Sequence, residues 1–261
     1  MRGDFRSSGV GEPHLATSVL LRLREAGCVF AEDEARLLCE AATSTEHLED
    51  LVARRVAGEP LEYLVGFVEF CGERWDVQPG VFIPRQRSEF LVEEAARFPA
   101  GMILDLCCGC GALSRALQRR IGGIVVGVDI SSEAVACARA NNLRRIYQGD
   151  LFEPLPERYR GQFAIILANA PYVPTHAIAD MPRESRDYEL RSAVDGGADG
   201  MDVQRRILRE ATAWLEPGGR LLTETSEEQG FSLAAYAADL GWETALSHDP
   251  ERGAHVLVVH R

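Results

Sequence analysis

Four consecutive residues suited to holding an amide, Asn169-Ala170-Pro171-Tyr172, follow the apolar run Phe163–Ala168. An amide or exocyclic amine nitrogen is a poor nucleophile because its lone pair is delocalised. An enzyme that alkylates it must hold both N–H groups and aim the lone pair at the incoming carbon. The side-chain oxygen of Asn169 and the main-chain carbonyl of Ala170 offer the two acceptors. Pro171 would stiffen the turn, and Tyr172 would pack against the planar group.

Asn and Pro also favour ordinary turns, but the position at a strand end favours a substrate site. We name residues 169–172 the acceptor clamp and predict that they are the catalytic residues.

Three acidic residues, Asp105, Asp129 and Asp150, lie at or near the ends of successive predicted strands. Asp105 leads into a turn carrying Gly109 and Gly111, which let the backbone approach a ligand closely. Asp129 is placed to accept hydrogen bonds from both hydroxyls of a ribose, and Asp150 to accept one from an adenine amino group. An ordinary strand-to-helix turn accounts for any one of these features. The three together predict a nucleoside cofactor.

The turn that carries Gly109 and Gly111 lacks a third glycine, and this indicates which nucleoside cofactor binds. A dinucleotide-binding fingerprint needs a third glycine, and Ser114 stands in its place. A carboxylate at Asp105 would repel a pyrophosphate but suits a cationic amino-acid group. The sequence therefore favours S-adenosylmethionine over NAD as the cofactor. Its sulfonium is already a good leaving group, so the transfer itself needs no positioned acid or base.

Helical and strand patterns alternate from Ser88 to the end of the chain. Seven strands are predicted, at Met102–Leu106, Ile124–Asp129, Arg145–Gln148, Phe163–Ala168, Arg220–Thr225, Trp242–His248 and His255–Val259. Helices are predicted at about 88–98, 112–120, 132–141, 202–215 and 231–240, with a sharp turn at Pro217–Gly219. This alternation is typical of a parallel sheet built from βαβ units. We therefore predict an α/β fold with a seven-stranded, doubly wound, Rossmann-like methyltransferase sheet.

The region before this sheet has helical periodicity. Apolar residues recur on one helical face at Leu15, Val19, Leu20 and Leu23, at Ala35, Leu38 and Ala42, and at Leu48, Leu51 and Val52. Two short alternating runs around Cys71–Glu73 then predict a β-hairpin. We predict a small N-terminal helical domain at 1–64, a hairpin linker at 65–84 and the catalytic domain at 85–261. The helical domain is either a cap on the main domain or a substrate-docking module.

Composition restricts the class of protein and of partner. The 261 residues are 46% hydrophobic and 26% charged, which is typical of a soluble globular protein. The net charge of −12 opposes the attraction that nucleic-acid binders use, so we expect no direct nucleic-acid binding. No apolar run approaches a membrane span, and the opening residues Met1–Ser8 lack a signal sequence. We therefore expect a cytoplasmic protein with no membrane partner.

The seven cysteines do not form a disulfide pattern, and three of them cluster at Cys107, Cys108 and Cys110. This cluster lacks the second cysteine or histidine pair of a zinc site. We expect buried thiols and predict no metal.

The sequence resembles the protein-(glutamine-N5) methyltransferase family, whose members modify the Gly-Gly-Gln glutamine of peptide chain release factors. The resembling segments are Gly58–Gly66, Phe70–Gly72, Pro79–Arg85, Leu104–Leu106, Gly149–Leu155, Asn169–Tyr172, Gly196–Gly200 and Pro217–Gly219. The resemblance implies that the helical domain docks a release factor and that the clamp binds the glutamine amide. It also implies cofactor contacts at Cys107, Cys108, Gly109, Cys110, Gly111, Asp129, Leu151 and Asn169.

The chain departs from the family pattern at four places. Cys107 replaces the first loop glycine, Ala170 the first proline of the Asn-Pro-Pro-Tyr motif, Gln86-Arg87-Ser88 a Pro-Glu-Thr stretch, and Glu189-Leu190 a Glu-Pro pair. Ala170 still supplies a carbonyl, so the clamp is preserved. The departures indicate a divergent paralogue.

Two other functions are open from the sequence. An adenine-N6 nucleic-acid methyltransferase would use the same clamp chemistry, but it needs a basic face. A non-catalytic S-adenosylmethionine-binding partner protein would explain the changes at Cys107 and Ala170. The retained acceptors favour the protein-glutamine enzyme.

Overall fold

A computed structural model describes residues 13–261 of the chain. The opening residues Met1–Ser8, on which the expectation about secretion rests, lie outside this range. The chain divides into two compact units. One contains residues 13–66 together with Arg183–Tyr188, and the other contains Phe67–Pro182 and Glu189–Arg261.

The helices and strands alternate through most of the chain. The helices are α1 (Pro13–Glu25), α2 (Ala31–Ala41), α3 (Thr45–Val56), α4 (Leu61–Val65), α5 (Glu89–Ala95), α6 (Ala112–Ile121), α7 (Ser132–Ala140), α8 (Arg183–Tyr188), α9 (Arg191–Val194), α10 (Asp202–Glu210) and α11 (Glu227–Asp239). The strands are β1 (Phe67–Phe70), β2 (Glu73–Asp76), β3 (Met102–Leu106), β4 (Ile124–Asp129), β5 (Ile146–Gln148), β6 (Phe163–Ala168), β7 (Leu215–Thr225), β8 (Glu243–Asp249) and β9 (Ala254–His260). Among residues 13–261, no helix is both long and apolar enough to cross a bilayer.

The first unit is helical and has its own core. The apolar faces of α1, α2 and α3 meet there with one residue of α4, in the stripes that the sequence periodicity predicts. The fully or largely buried members are Val19, Leu23, Ala31, Ala35, Leu38, Leu48, Leu51, Val52 and Leu64. The Ser44 hydroxyl accepts a hydrogen bond from the backbone N–H of His47 at 3.1 Å and caps the start of α3.

An ion pair network ties α8 to this helical unit. Arg55 donates to Glu34 from Nε at 2.6 Å and from Nη2 at 3.1 Å. It also donates from Nη1 to Glu184 in α8 at 2.6 Å. The sequence places Arg183–Tyr188 within the predicted catalytic segment 85–261. Because Arg55 is buried and needs these carboxylates, α8 groups instead with the helices of the first unit.

The second unit is built on the seven-stranded sheet, with the strand order β5-β4-β3-β6-β7-β9-β8. The pairs among β5, β4, β3, β6 and β7 are parallel, and β9 is antiparallel to β7 and to β8. The turn between β8 and β9 is too short for a parallel crossover, which explains why the sheet is not parallel throughout. The prediction of a seven-stranded, Rossmann-like sheet is confirmed.

The β1–β2 hairpin belongs to this second unit rather than standing apart as the linker predicted at 65–84. Asn141, at the end of α7, explains why. Its side chain accepts a hydrogen bond from the N–H of Asp76 at 2.8 Å and donates to the carbonyl of the same residue at 2.8 Å. The end of β2 is therefore held against α7.

Candidate active site

A cavity of about 210 Å³ opens at the carboxyl ends of the parallel strands. The chain runs from β3 outward through β4 and β5, then returns to place β6 on the other side of β3. Open α/β sheets bind their ligands where the strand order reverses in this way. The lining residues are Gly80, Phe82, Cys107, Gly109, Val128, Asp129, Ile130, Ser131, Ala134, Gly149, Asp150, Leu151, Asn169, Pro171, Leu190, Ser192, Ala193, Val203 and Arg206.

The structure brings most of the predicted site residues together at this cavity. Those that line it are Cys107, Gly109, Asp129, Asp150, Leu151, Asn169 and Pro171. A smaller cavity of about 20 Å³ is lined by Asp105, Cys108 and Cys110 and shares Cys107, Gly109 and Asn169 with the first. The remaining predicted residues, Gly111, Ala170 and Tyr172, line neither of these two cavities.

The turn after β3 has a left-handed backbone at Cys107, Gly109 and Gly111, where φ is +56°, +55° and +78°. Glycine adopts such angles freely, whereas Cys107 carries a side chain in a conformation that L-residues avoid. The turn therefore keeps a glycine-like backbone at the position where the family has glycine. At Gly111 the positive φ favours glycine, and an added Cβ would also lie only 3.3 Å from the Leu143 side chain.

Asp105, one residue before the end of β3, is a buried carboxyl, only 1% exposed. Its Oδ2 has no hydrogen-bond partner, and the residue lines the smaller cavity. Burial raises the pKa of Asp105 to about 7, and the negative charge of Asp129 adds to this, while hydrogen bonds from Ser114 act in the opposite direction. An orphaned carboxylate oxygen beside a cavity favours a cationic hydrogen-bond donor as its ligand.

Asp129 holds the turn after β3 and also faces the larger cavity. Its Oδ2 accepts from the N–H of Gly109 at 2.8 Å, and its Oδ1 accepts from the N–H of Ser131 at 2.9 Å. Burial raises the pKa of Asp129, and these backbone hydrogen bonds oppose the shift. Each carboxylate oxygen keeps a further acceptor position, so a pair of hydroxyls on a ligand can still bind there.

Asp150 follows β5 and has a partner that its sequence context does not reveal. Arg206, on α10, donates from Nη2 to Asp150 Oδ2 at 2.9 Å, and both residues line the cavity. The next residue, Leu151, is buried and has φ at +48°. Asp150 Oδ1 therefore takes no part in this ion pair.

The acceptor clamp follows β6 directly. Asn169 lines both cavities and donates from Nδ2 to the hydroxyl oxygen of Ser88 at 3.2 Å. Pro171 lines the larger cavity, and Ala170 is almost completely buried. One end of the clamp therefore lies against the same space as Asp129.

The Tyr172 hydroxyl is fully engaged. It donates to Glu224 Oε1 at 3.0 Å and accepts from Arg87 Nη2 at 2.8 Å. Burial is the main cause that raises the pKa of Tyr172, and the negative charge of Glu224 adds to it. The phenol therefore stays protonated near neutral pH and has no proton to spare for a substrate.

The clustered cysteines are neutral thiols. Burial raises the pKa values of Cys107 and Cys108 and raises the pKa of Cys110 to about 12. All seven cysteines are free. Among residues 13–261 there is no group of three or more His, Cys, Asp or Glu side chains that could hold a metal ion.

Sequence reasoning did not single out Arg206 or Glu224, and it named Arg87 and Ser88 only as departures from a family motif. Glu224 is a carboxylate near the end of an otherwise apolar strand, 2% exposed, and that contrast was the available signal. Ser88 and Arg206 carried no such signal, because their partners lie 81 and 56 positions away in the chain.

Comparison with known proteins agrees with this geometry. Residues 103–188 match the family model described as "Methyltransferase domain". The chain is 42% identical over 182 residues to the release factor glutamine methyltransferase of Geobacter sulfurreducens, covering 67% of this chain and 63% of that protein. It is 33% identical over 253 residues to the enzyme of the same name from Moorella thermoacetica, covering 90% of this chain and 86% of that protein.

Among solved structures, a methyltransferase from Pyrococcus furiosus superimposes with a TM-score of 0.56 and 16% identity, covering 72% of this chain and 88% of that one. At that identity the likeness concerns the fold alone. The relatives decide the family, because they are similar over most of the chain. This protein belongs to the release factor glutamine methyltransferase family and is an S-adenosylmethionine-dependent methyltransferase.

Proposed function

We propose that this protein transfers the methyl group of S-adenosylmethionine to the side-chain amide nitrogen, N5, of a glutamine in a peptide chain release factor. The observation that carries the proposal is the position of Asn169. Its side chain lines the same cavity as Asp129 and also the smaller cavity of Asp105. An amide held at the clamp would therefore meet a cofactor held by the two carboxylates.

The residues around the cavity fit S-adenosylmethionine. The unpartnered Oδ2 of Asp105 suits the ammonium group of the methionine part. Asp129 would accept hydrogen bonds from the ribose hydroxyls, and Asp150, with Leu151 beside it, would bind the adenine. The turn Cys107–Gly111 would supply close backbone contacts through its left-handed residues. When bound, the cofactor supplies an electrophilic methyl group on a sulfonium.

The protein's part in the reaction is to orient the acceptor. Asn169 Oδ1 and the main-chain carbonyl of Ala170 would each accept one N–H of the glutamine amide, so that the nitrogen lone pair faces the methyl carbon. The bond from the methyl carbon to sulfur would be replaced by a bond to the amide nitrogen, and the proton that this nitrogen loses would pass to solvent. Tyr172 takes no proton in this step, because its hydroxyl already donates to Glu224. It would instead pack its ring against the amide plane.

The test is a tritium-transfer assay with purified release factor, DNA and RNA as alternative acceptors. We expect label in the release factor alone, and mass spectrometry should place one added methyl group on a glutamine. Label that appears only in nucleic acid would refute the proposal in favour of an adenine-N6 enzyme. S-adenosylmethionine binding by calorimetry without transfer to any of the three acceptors would indicate a non-catalytic binding protein.

The net charge of −12 supports a protein acceptor, because it opposes sequence-independent attraction to a phosphate backbone. Docking of the release factor by the N-terminal helices and a cytoplasmic location remain predictions. The first follows from membership of the family, and the second from the chain's composition and cysteine pattern.

A further inference from the structure

The three-residue turn Gln86–Ser88, just before α5, contacts both ends of the acceptor clamp. Ser88 reaches Asn169, and Arg87 reaches Tyr172. This is also a segment in which the chain departs from the family pattern. We propose that this turn positions the clamp, with Ser88 orienting the side-chain amide of Asn169 and Arg87, together with Glu224, fixing the ring of Tyr172. The inference rests on the proposed function of the clamp.

The orientation of the Asn169 amide decides whether the clamp works. An asparagine side chain has an acceptor oxygen on one side and a donor NH2 on the other, and the terminal torsion is roughly two-fold. If the side-chain amide of Asn169 were rotated by about 180°, it would present its N–H groups to the N–H groups of the substrate. Ser88 Oγ accepts the hydrogen bond from Nδ2 at 3.2 Å, which leaves Oδ1 as the acceptor for the substrate. Ser88 is fully buried, whereas Asn169 is half-buried and faces both cavities.

The hydrogen bonds around Tyr172 form a closed ring of three groups. Arg87 donates from Nη2 to the phenol oxygen at 2.8 Å and from Nε to Glu224 Oε1 at 3.1 Å. The phenol donates to the same Oε1 at 3.0 Å. These hydrogen bonds to the hydroxyl fix the position of the Tyr172 side chain. Arg87 also neutralises the Glu224 carboxylate, which is 2% exposed and costly to bury alone.

The turn is itself held in place, so it can impose a geometry on the clamp. Gln86 Nε2 donates to the carbonyl of Glu69 in β1 at 3.1 Å. On the other side, Glu89 Oε1 accepts from the N–H of Cys71 at 2.6 Å. The N–H of Ser88 closes the turn on the carbonyl of Arg85 at 2.9 Å. The hairpin thus anchors both flanks of the turn, and supports of this kind lock a site's geometry.

The first test compares Ser88→Ala with Ser88→Thr in the full-length protein. With purified release factor as acceptor, we expect Ser88→Ala to lower kcat by about 100-fold, the order of loss that follows a small misplacement of a reacting group. The Kd of S-adenosylmethionine should stay within roughly twofold in both variants. Ser88→Thr keeps the hydroxyl and should restore most of the turnover. Ser232→Ala, an exposed serine on α11, is the matched control.

A double-mutant cycle separates positioning from general structural damage. In an Asn169→Ala background, Ser88→Ala should cause no further loss, because there is no amide left to orient. Wild-type turnover in Ser88→Ala, no rescue by Ser88→Thr, or a full additional loss in the Asn169→Ala background would each overturn the role of Ser88.

Arg87 needs a variant that avoids leaving a lone buried charge. Arg87→Met alone would leave the buried Glu224 carboxylate without its cationic partner and could destabilise the protein. The informative protein is therefore the double variant Arg87→Met with Glu224→Gln. It should fold, bind S-adenosylmethionine normally and show a raised KM for the release factor with reduced kcat. The double variant Arg97→Met with Glu94→Gln is the matched control, since Arg97 pairs with the buried Glu94 on α5. Unchanged KM and kcat in Arg87→Met with Glu224→Gln would refute the role of Arg87.

A measurement that does not depend on methyl transfer tests the role of the turn separately from the proposed function. The side-chain amide signals of Asn169, identified in an NMR spectrum by their loss in Asn169→Ala, should shift in Ser88→Ala and not in Ser88→Thr. If the wild-type protein does not methylate a release factor, the proposed function fails while this measurement still tests the turn. Amide signals unaffected by Ser88→Ala would overturn the inference itself.

Discussion

The turn after β3, on the cofactor side of the cavity, and the acceptor clamp are held by contacts of very different range. On the cofactor side, Asp129 holds the N–H of Gly109, 20 positions earlier, across a single βαβ unit. On the acceptor side, Asn169 depends on Ser88, and Tyr172 on Arg87 and Glu224, at separations of 81, 85 and 52 positions. The turn after β3 can form once β3 and β4 pair, whereas Asp150 on the same side has its partner Arg206 56 positions away. The acceptor side needs the hairpin, the turn before α5 and β7, which pairs with β6, to be assembled.

Because the two sides would hold different ligands, variants on them should fail in different ways. A variant on the cofactor side should weaken S-adenosylmethionine binding. A variant in the acceptor clamp should reduce turnover while cofactor affinity is retained.

The largest expected effect is that of Asn169→Ala. The variant removes the acceptor that opposes delocalisation of the amide lone pair, and the loss of one such preorganised contact lowers kcat by about 10²–10³-fold. Calorimetry should show S-adenosylmethionine affinity close to that of the wild type. Gln162→Ala, which removes an exposed side-chain amide, is the control and should behave as wild type. Turnover by Asn169→Ala at the wild-type rate would refute the role assigned to the clamp.

Asp129→Ala tests the other side. It removes a carboxylate that would bind two ribose hydroxyls, and it leaves the N–H groups of Gly109 and Ser131 without their partner. Hydrogen bonds to a charged group contribute roughly 1.5–3 kcal/mol each, so the Kd of S-adenosylmethionine should rise on the order of 100-fold. At saturating cofactor, kcat should change far less. The exposed Asp239→Ala controls for the loss of one negative charge. A large fall in kcat with unchanged Kd would contradict the division of the cavity into two sides.

The third prediction concerns pH and Asp105. Burial raises its pKa to about 7, so the free protein carries a neutral carboxyl there at lower pH. An ammonium ligand needs the ionised form, and the affinity for S-adenosylmethionine should fall about tenfold per pH unit below 7. Above pH 7 the affinity should level off, until the ligand's own amino group begins to lose its proton near pH 8.

Asp105→Asn is the control for this pH dependence. It should bind more weakly at pH 7.5 and lose the slope between pH 5 and 7, measured by calorimetry. The raised pKa has a second consequence for the free protein. Between the unfolded and folded pKa values the native state binds more protons, so stability falls as pH rises through about 4 to 7. Asp105→Asn should therefore raise the melting temperature at pH 8 more than at pH 5. A pH slope that persists in the variant would assign the titration to another group.

The same contrast in range explains how far sequence reasoning could go. The predicted bounds of β3, β4 and β6 coincide with the structure, because each is a largely apolar run followed by a recognisable turn. The prediction placed the start of α11 at 231, but the helix begins at Glu227 because Ser226 accepts a hydrogen bond from the N–H of Gln229 at 3.2 Å. That cap is visible in the sequence only as a short Ser-x-x-Gln pattern.

Site residues follow the same rule. The acidic positions at strand ends could be found from spacing, since parallel strands bring their carboxyl ends to one edge. The partners of the acceptor clamp could not, because nothing in the sequence indicates that the turn at Gln86–Ser88 will lie beside β6. The family name is confirmed by the relatives, whereas the individual site residues remain predictions until variants are measured.

The smallest expected effect lies in the turn after β3. Cys107 has φ at +56°, where a side chain is strained and glycine is not. Comparing Cys107→Gly with Cys107→Ala isolates this strain, because both variants remove the thiol and only alanine keeps a Cβ. The glycine variant gains from relaxed backbone strain but increases the conformational entropy of the unfolded chain. We expect it to be the more stable of the two by about 1 kcal/mol in chemical denaturation. S-adenosylmethionine binding should be kept in both, since the turn's backbone already has the glycine-like form. If alanine proves as stable as glycine, the left-handed angle at residue 107 costs nothing, and the cofactor side carries no strain.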